Sequence, residues 1–239
     1  MAGTLWVVSV PIGNSRDITL RAIGLLQNAD VILCEDLKPA RRLLHELNIE
    51  KPLVPLNEHT EANATREALE LLRAGKDLAL ISDAGTPLIS DPGQRLVREA
   101  IQEEIAVSSV PGASSILAAL VLSGFRSDRF YFAGMLPRDK SDRKKEAKQL
   151  AARQETIVIL EAPYRLAQLL DDLLEAFGVE RRAAIALELT MPKERVHRGT
   201  LLALRDLFRA RPFKGEFVIV LEGREFRPPH RAHDRRSKP

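Results

Sequence analysis

The sequence predicts a two-domain α/β protein, and two features of the residue pattern carry this prediction. Short runs rich in Val, Ile and Leu alternate with longer stretches of helical periodicity, which is typical of a mainly parallel sheet covered by helices. The turn-forming sequence Ser-Gly-Phe-Arg-Ser-Asp at 123–128 interrupts this alternation, and a second series begins at Phe130. We therefore predict an N-terminal α/β domain over 1–122 with a mainly parallel sheet, and a C-terminal α/β domain over 123–223 with a mixed sheet.

The strands of both domains are predicted from short apolar runs, and the helices from apolar residues that recur at helical spacing. In the first domain we expect strands near 5–10, 31–34, 78–82 and 105–110, and helices near 18–28, 38–47, 61–74, 93–104 and 113–122. In the second domain we expect strands near 156–161, 183–188, 194–198 and 216–222, and helices near 141–153, 163–177 and 200–210. Each predicted strand of the first domain is followed by a helix, as a parallel sheet requires.

The net charge of +3 is concentrated at the C-terminal end of the 239 residues. Residues 224–239 hold six Lys and Arg against one Glu and one Asp, an excess of +4 that leaves residues 1–223 with −1. This Pro- and Arg-rich segment is predicted to be a disordered tail. Two roles stay open for it: a solubilising tail, or an arm that contacts phosphates.

Cysteine and histidine usage argues against an oxidising compartment and against a metal site. Cys34 is the sole cysteine and lies in an apolar segment, so we expect a buried, inert thiol. The sequence opens without a basic leader or a long apolar stretch, which predicts a cytoplasmic protein rather than a secreted or membrane-embedded one. The five histidines lack a Cys or His partner at zinc spacing, and no serine stands in a G-x-S-x-G elbow. Neither a metal site nor a serine hydrolase is expected.

Three loops that follow predicted strands are dense in Pro, Gly and small polar residues. They are Pro-Ile-Gly-Asn at 11–14, Ser-Asp-Ala-Gly-Thr-Pro at 82–87 and Pro-Gly-Ala-Ser-Ser at 111–115. The carboxyl ends of parallel strands meet at one edge of a sheet, so these loops predict a ligand pocket, although each one alone also fits a tight turn. The sequence contains neither a P-loop nor a G-x-G-x-x-G fingerprint. The expected ligand therefore lacks phosphates.

Two carboxylates of the middle loop have different alternative explanations. Asp91 precedes Pro92 and Gly93, where it could cap the next helix and be purely structural. Asp83 lies beside Gly85 and Thr86 in a loop rich in backbone groups, where a carboxylate can accept hydrogen bonds from hydroxyls or amines of a ligand. We therefore predict a ligand contact for Asp83.

A second acidic pair, Glu35 and Asp36, follows the second strand and stands before Lys38 and a pair of arginines at 41–42. The carboxylates could orient or deprotonate a hydroxyl of a substrate, while the basic side chains hold a polyanionic substrate. The alternative is that Asp36 caps the following helix and that the basic side chains are solvated. A similar polar cluster over 57–63 precedes the next helix.

These motifs together resemble the bacterial ribosomal RNA small subunit methyltransferase I family of the tetrapyrrole methylase superfamily. The resemblance covers residues 4–223. Its specific part is the block Ser-Asp-Ala-Gly-Thr-Pro at 82–87 with Asp-Pro-Gly at 91–93, and the residues at 11–14, 17–19 and 110–112 match as well. Shorter motifs that also match are Glu-Ala-Pro-Tyr-Arg at 161–165, Glu-Leu-Thr at 188–190 and Lys-Gly-Glu-Phe at 214–217.

The resemblance implies a cytoplasmic, homodimeric enzyme with the tetrapyrrole methylase fold that methylates a cytidine 2′-hydroxyl in 16S ribosomal RNA. Its cofactor would be S-adenosyl-L-methionine, bound in the cleft between the domains. The residues that this places at the cofactor are Pro11, Asp83, Gly85, Thr86, Ser90, Asp91, Pro111, Ser115, Leu136, Ala162, Leu187 and Gly215. The predicted catalytic base is Asp36, with Glu35 second, and the predicted RNA contacts are Arg16, Lys38, Glu58 and His59.

This chain departs from the family pattern at the predicted RNA side. Where the family has Glu-Asp-Thr-Arg, the chain has Leu37 and Lys38 after the acidic pair, which removes a hydroxyl and a forked guanidinium. Family histidines are replaced by Asn57 and Tyr164. The alternatives are a carbon methyltransferase acting on a tetrapyrrole, and an RNA-binding protein without catalysis, for which the −1 charge of residues 1–223 is unfavourable. A basic segment at 138–145 could contact RNA or be a solvated helix start.

Overall fold

A computed structural model of the protein describes residues 2–224. The described residues form two compact units: the first consists of the residues up to Ala119 and Leu187–Arg195, and the second of Leu120–Ala186 and the residues from Val196 to Arg224. The predicted tail lies outside the described residues except for Arg224. The domain boundary between 122 and 123 stays a prediction. The sequence did not indicate that Leu187–Arg195 belongs to the first unit.

The first unit is built on a sheet of five parallel strands in the order β3-β2-β4-β1-β5. Its strands are β1 (Thr4–Val8), β2 (Val31–Cys34), β3 (Leu53–Pro55), β4 (Leu78–Ile81) and β5 (Ala106–Val110). Its helices are α1 (Leu20–Asn28), α2 (Leu37–Glu46), α3 (Glu61–Arg73), α4 (Gln94–Gln102) and α5 (Ser115–Ser123), the last of which continues into the second unit. A 3-10 turn, Ser15–Asp17, precedes α1.

Successive side chains of the strands point to opposite faces of this sheet, so that an apolar layer lies on each face. Ile32 and Cys34 pack with Leu26 of α1 and Leu44 of α2, whereas Leu33 packs on the other face with residues of α3 and α4. Successive strand residues point to opposite faces, and a parallel sheet covered on both sides buries both sets. The sheet is therefore a rigid layer whose strand ends carry the loops described below.

The second unit contains a mixed sheet in the order β6-β7-β10-β8-β9. Its strands are β6 (Phe130–Met135), β7 (Thr156–Leu160), β8 (Arg182–Leu187), β9 (Arg195–Thr200) and β10 (Phe217–Leu221), and its helices are α6 (Lys140–Ala151), α7 (Leu166–Phe177) and α8 (Leu201–Ala210). Strand β7 is parallel to β6 and antiparallel to β10. A buried ion pair joins α6 to α7, with Arg143 Nε 2.6 Å from Asp172 Oδ2.

The predicted α/β class, with a parallel sheet followed by a mixed one, is confirmed. Each predicted helix and strand is present, with ends shifted by a few residues. Sequence reasoning missed β3, because it is three residues long, lies at the sheet edge and ends in Pro55, which cannot donate a ladder hydrogen bond. Among residues 2–224, no helix has the length and apolar character needed to cross a membrane.

Candidate active site

The carboxyl ends of β1, β4 and β5 bring together the three loops singled out in the sequence. The loop after β1 pairs with the loop after β4. The Val10 amide donates to the Gly85 carbonyl at 2.8 Å, and the Gly85 amide donates to the Val10 carbonyl at 3.2 Å. Gly85 has φ +80°, and a Cβ there would lie 3.2 Å from the Ile12 side chain. A glycine is needed because L side chains rarely adopt this backbone region.

The loop after β5 joins the other two through hydroxyl groups. Thr86 Oγ1 donates to the Ala113 carbonyl at 3.2 Å and lies 3.1 Å from Ser9 Oγ. Gly112 approaches the same serine so closely that a Cβ would come within 2.9 Å of Ser9 Cβ. Ser115 is half-buried at the start of α5, whereas Pro111 is exposed. The three loops thus form one continuous edge of backbone groups and hydroxyls.

A fourth segment at this edge comes from far along the chain. Gly13 packs against the turn that follows Leu187, and a Cβ on it would lie 2.7 Å from the Leu189 carbonyl oxygen. The Asn14 amide donates to Thr190 Oγ1 at 2.9 Å. Sequence reasoning did not predict this contact; the two motifs, at 11–14 and 188–190, were recognised separately, but nothing in either indicates pairing across 176 positions.

The loop between β4 and α4 holds four residues in the left-handed backbone region: Gly85 at φ +80°, Leu88 at φ +72°, Ser90 at φ +69° and Gly93 at φ +109°. A non-glycine residue there costs on the order of 1–3 kcal/mol, and such strain clusters at ligand sites. The capping role considered for Asp91 is wrong. Gly93 occupies the N-cap of α4, and its amide donates to Glu61 Oε1 at 3.0 Å, so Asp91 is not needed as the cap.

Carboxylates crowd this edge, and burial together with mutual repulsion raises the pKa values of three of them. Burial, followed by the negative charges of Glu35 and Asp83, raises the pKa of Asp91 to about 7, although a hydrogen bond from Ser82 opposes the shift. Partial desolvation and the neighbouring Asp83 and Asp36 likewise raise the pKa of Glu35. The pKa of Asp83 is also raised, mainly by desolvation. A cationic ligand would relieve this repulsion.

Asp36 has a structural role as well as a place in the acidic group. Its Oδ1 accepts the Lys38 amide at 2.8 Å and so caps α2, which is the alternative that the sequence left open. Its own amide donates to Asp83 Oδ1 at 3.2 Å. Cys34, just before this pair, is buried as expected, and burial raises its pKa to about 11.

An open cleft of about 660 Å³ lies beside these carboxylates. Its lining is strongly acidic and consists of Glu35, Asp36, Leu37, Pro55, Asn57, Glu58, His59, Glu61, Asp83, Ser90 and Pro92. Within residues 2–224, no group of three or more His, Cys, Asp or Glu side chains is placed to hold a metal ion. The carboxylates of the cleft can accept protons and hydrogen bonds.

The predicted RNA contacts are exposed residues of the first unit. His59 Nε2 lies 3.4 Å from Glu58 Oε1 at the cleft, and both side chains are solvated. Asn57, where the family has histidine, instead closes a turn by accepting the His59 and Thr60 amides. Arg16 lies in the 3-10 turn and Lys38 in the first turn of α2.

The predicted cofactor residues from the later part of the chain lie at strand ends. Leu136 is buried directly after β6, Leu187 is buried at the end of β8, and Ala162 and Gly215 are half-buried, after β7 and before β10. The basic segment at 138–145 is not a uniform cationic surface, since Arg143 is buried against Asp172. Asp139 caps α6 by accepting the amides of Ser141 and Asp142.

The donors and acceptors at the first unit's edge fit S-adenosylmethionine. Glycine-containing loops expose backbone groups suited to an adenine, and the carboxylates can accept hydrogen bonds from ribose hydroxyls and an ammonium. Burial and neighbouring carboxylates raise the pKa values of Glu35, Asp83 and Asp91, and a bound sulfonium would favour their ionised forms. Nothing in the three loops is arranged as a phosphate cradle of the P-loop type. The ligand expected from the sequence therefore agrees with the chemistry of the residues present.

Comparison with known proteins places the chain in a class. Residues 4–205 match the family of Tetrapyrrole (Corrin/Porphyrin) Methylases. The fold is similar to that of a uroporphyrin-III C-methyl transferase from Thermus thermophilus complexed with S-adenyl homocysteine, with a TM-score of 0.66, 20% identity, and coverage of 92% of this chain and 97% of that one. Fold, site and family match together define a methylase of the tetrapyrrole methylase class.

Two relatives narrow the class. The chain is 46% identical over 218 residues to the ribosomal RNA small subunit methyltransferase I of Mesorhizobium japonicum, covering 91% of this chain and 74% of the relative. It is 41% identical over 223 residues to the enzyme of the same name from Thermotoga maritima, covering 93% of this chain and 100% of the relative. The chain belongs to the ribosomal RNA small subunit methyltransferase I family, which confirms the resemblance noted in the sequence.

Proposed function

We propose that the protein transfers a methyl group from S-adenosylmethionine to the 2′-hydroxyl of a cytidine in 16S ribosomal RNA. The observation that carries the proposal is the edge of the first unit, where three strand-end loops contact one another and the carboxylates of Glu35, Asp83 and Asp91 cluster near an open cleft. Family membership supports the acceptor, because the relatives are named for ribosomal RNA.

When bound, S-adenosylmethionine supplies an electrophilic methyl group on a positively charged sulfur. In the first unit we assign its binding to Pro11, Asp83, Gly85, Thr86, Ser90, Asp91, Pro111, Ser115 and Leu187. The loop strain at Ser90 supports a ligand role, because a strained residue is kept only when its position is required. Leu136, Ala162 and Gly215 of the second unit stay predicted cofactor contacts.

The residues of the cleft have two tasks: to hold the ribose and to receive its proton. Alignment of well-oriented reactants can lower a barrier by up to about 7–11 kcal/mol, so positioning is the larger task. Asp36 is the first candidate for the base and Glu35 the second, since both line the cleft. Arg16 and Lys38 would hold the RNA backbone, with Glu58 and His59 contacting the nucleotide.

The proposed setting is the cytoplasm, where the small ribosomal subunit or its RNA is the partner.

We further propose a homodimer, supported by the composition of α5, which is apolar except for its terminal serines. Leu117 and Val121 of this helix are 53% and 74% exposed. The two side chains are four residues apart and so lie on one face of the helix, and contiguous exposed apolar patches mark association surfaces. Light scattering should give a dimer mass for the native protein and a monomer mass for Val121→Glu.

The experiment that tests the reaction is a map of 2′-O-methylation in 16S ribosomal RNA from a strain lacking the protein. One cytidine should lose its methyl group, and the purified protein with S-adenosylmethionine should restore it. An unchanged map would contradict the RNA acceptor. Retention of a porphyrinoid by the purified protein would then favour carbon methylation, and RNA retention without S-adenosylmethionine binding would favour a non-catalytic RNA-binding protein.

A further inference from the structure

Two arginines of the second unit converge on the backbone that follows β6. Arg165 donates from Nη1 to the Leu136 carbonyl at 3.4 Å and from Nη2 to the Pro137 carbonyl at 2.9 Å. Arg143 donates from Nη1 to the carbonyls of Pro137 at 3.3 Å and Arg138 at 2.8 Å. Three consecutive carbonyls are thus held by two guanidinium groups rather than by strand or helix partners.

Arg165 also connects this backbone to a second segment. Its Nη1 lies 2.9 Å from Glu161 Oε1, and the same carboxylate oxygen accepts the Ala162 amide at 2.8 Å. One guanidinium therefore touches the backbone after β6 directly and reaches the backbone after β7 through a single carboxylate. The two segments contain Leu136 and Ala162, both predicted cofactor contacts. Arg143 makes no such link, because its carboxylate partner is Asp172 on α7.

The local structure is poorly suited to stability alone. Arg165 occupies the N-cap of α7 without a side-chain capping bond, although Ser, Thr, Asp or Asn would stabilise that position by about 1 kcal/mol. Glu161 is buried, and its Oε2 has no hydrogen-bond partner among the described residues. Buried ion pairs are often no more stabilising than apolar residues of similar volume. The chain thus has neither a capping side chain nor a fully hydrogen-bonded carboxylate at this place. We take this as a sign that the positions of the Arg165 and Glu161 side chains are themselves required.

We propose that Arg165 is a positioning residue for the cofactor: its guanidinium and the Glu161 carboxylate fix the spacing between Leu136 and Ala162, the two backbone segments that receive the cofactor. The inference rests on the proposed function, since the cofactor contacts are taken from it. Arginine is needed because its planar fork donates in fixed directions to two carbonyls and a carboxylate at once, which the single ammonium of lysine cannot reproduce. Arg165 itself does not contact the reacting atoms.

The test compares Arg165→Lys with Arg209→Lys in the full-length protein. Arg209 is the matched control, an exposed arginine of the same unit that pairs with Asp171. S-adenosylhomocysteine binding is measured by calorimetry, and steady-state kinetics follow methylation of the RNA. We expect Arg165→Lys to raise the Kd for S-adenosylhomocysteine and the KM for S-adenosylmethionine at least tenfold, with kcat and the KM for RNA within about threefold of wild type. Arg209→Lys should change neither cofactor constant.

Hydrogen exchange of the wild-type protein gives a second test that does not depend on a variant folding. S-adenosylhomocysteine should slow exchange in the peptides that cover 136–138 and 161–165. If S-adenosylhomocysteine binds but protects neither peptide, or if Arg165→Lys is folded and binds it normally, the positioning role is wrong while the proposed function stands. If wild-type protein does not bind S-adenosylhomocysteine at all, the proposed function itself fails.

Discussion

Asp36 combines a helix cap and a candidate catalytic base in one side chain. Its Oδ1 accepts the Lys38 amide, and the residue also lines the acidic cleft. A truncation to alanine would remove both roles together, so its effect on activity could not be attributed to either. Asparagine and serine cap helices as well as aspartate does, and neither is a base. The two roles can therefore be separated by the choice of substitution.

We predict that Asp36→Asn lowers kcat about 100-fold or more, the usual contribution of a general base, while the melting temperature and the cofactor Kd stay near wild type. Asp36→Ala should lose the same activity and, in addition, about 1 kcal/mol of unfolding free energy because the cap is lost. Glu35→Gln, assayed in parallel, tests the second candidate. Full activity in Asp36→Asn would remove Asp36 as the base.

Asp91 should make the stability of the protein depend on pH. Burial raises its pKa to about 7 from 3.8, so the folded state favours the protonated form. The resulting stabilisation is complete below the unfolded pKa and is lost as the pH rises from about 4 to about 7. Asp91→Asn keeps a neutral side chain at every pH. It should be more stable than wild type at pH 8 by about 1–2 kcal/mol after allowance for solvent screening, and closer to it at pH 4. Urea denaturation at both pH values measures this, and equal stabilities at pH 8 would contradict the shift.

At the scale of the element, the loop between β4 and α4 holds two non-glycine residues at positive φ, Leu88 and Ser90. Its glycine at position 93 has φ +109°, and a Cβ there would lie 2.9 Å from Leu80 Cδ2 in the core. Gly24 lies inside α1, and a Cβ added to it would have no atom within 4 Å outside its own helix backbone and chain neighbours. The two glycines thus present opposite situations for the same substitution.

We predict that Gly93→Ala destabilises the protein by about 1–3 kcal/mol, because alanine is strained at this φ and contacts the core. Gly24→Ala should stabilise it by about 0.5–1 kcal/mol, because alanine loses less entropy in a helix. Chemical denaturation of both variants measures the difference. Equal effects of the two substitutions would show that the loop conformation is not fixed in solution.

Elements with strong periodicity were predictable, and long-range contacts were not. Helices α1 to α8 and nine of the strands lie where the pattern of apolar residues indicates or where a new series begins, since burial of one face dictates that pattern. The role of Asp36 was left open because a capping carboxylate and a catalytic one look the same in sequence. Arg143 lies in a run of charged residues that suggests a solvated helix, and its burial depends on Asp172, 29 positions away. Contacts of this kind follow from tertiary packing alone.

At the scale of the whole molecule, charge is distributed unevenly along the chain. The cleft of the first unit is lined by five carboxylates, a surface suited to a cation and unfavourable to a polyanion. The C-terminal residues beyond Arg224 contain five Lys and Arg against two acidic residues. If the acidic cleft receives a cationic cofactor and a single ribose, the phosphates of the RNA are held outside the cleft, and these basic residues are candidates in addition to Arg16 and Lys38.

We predict that truncation after Arg224 leaves S-adenosylhomocysteine binding unchanged and weakens RNA binding. The removed residues carry a net +3, so the slope of log affinity against log salt should become less steep by about 2 for single-stranded RNA. Fluorescence anisotropy at several salt concentrations measures the slope. An unaltered slope would assign the tail a solubilising role instead.

The interior position of β1 in the first sheet has a consequence for the order in which the protein can assemble during synthesis. Leu5 of β1 pairs with Leu78 of β4 on one side and with Val107 of β5 on the other. At a translation rate of about 5–20 residues per second, the first strand waits roughly 4–15 s for its earliest partner to be made. During that interval the apolar strand that will lie inside the sheet has two unpaired edges. We therefore expect the nascent chain to be prone to aggregation until β4 has been made.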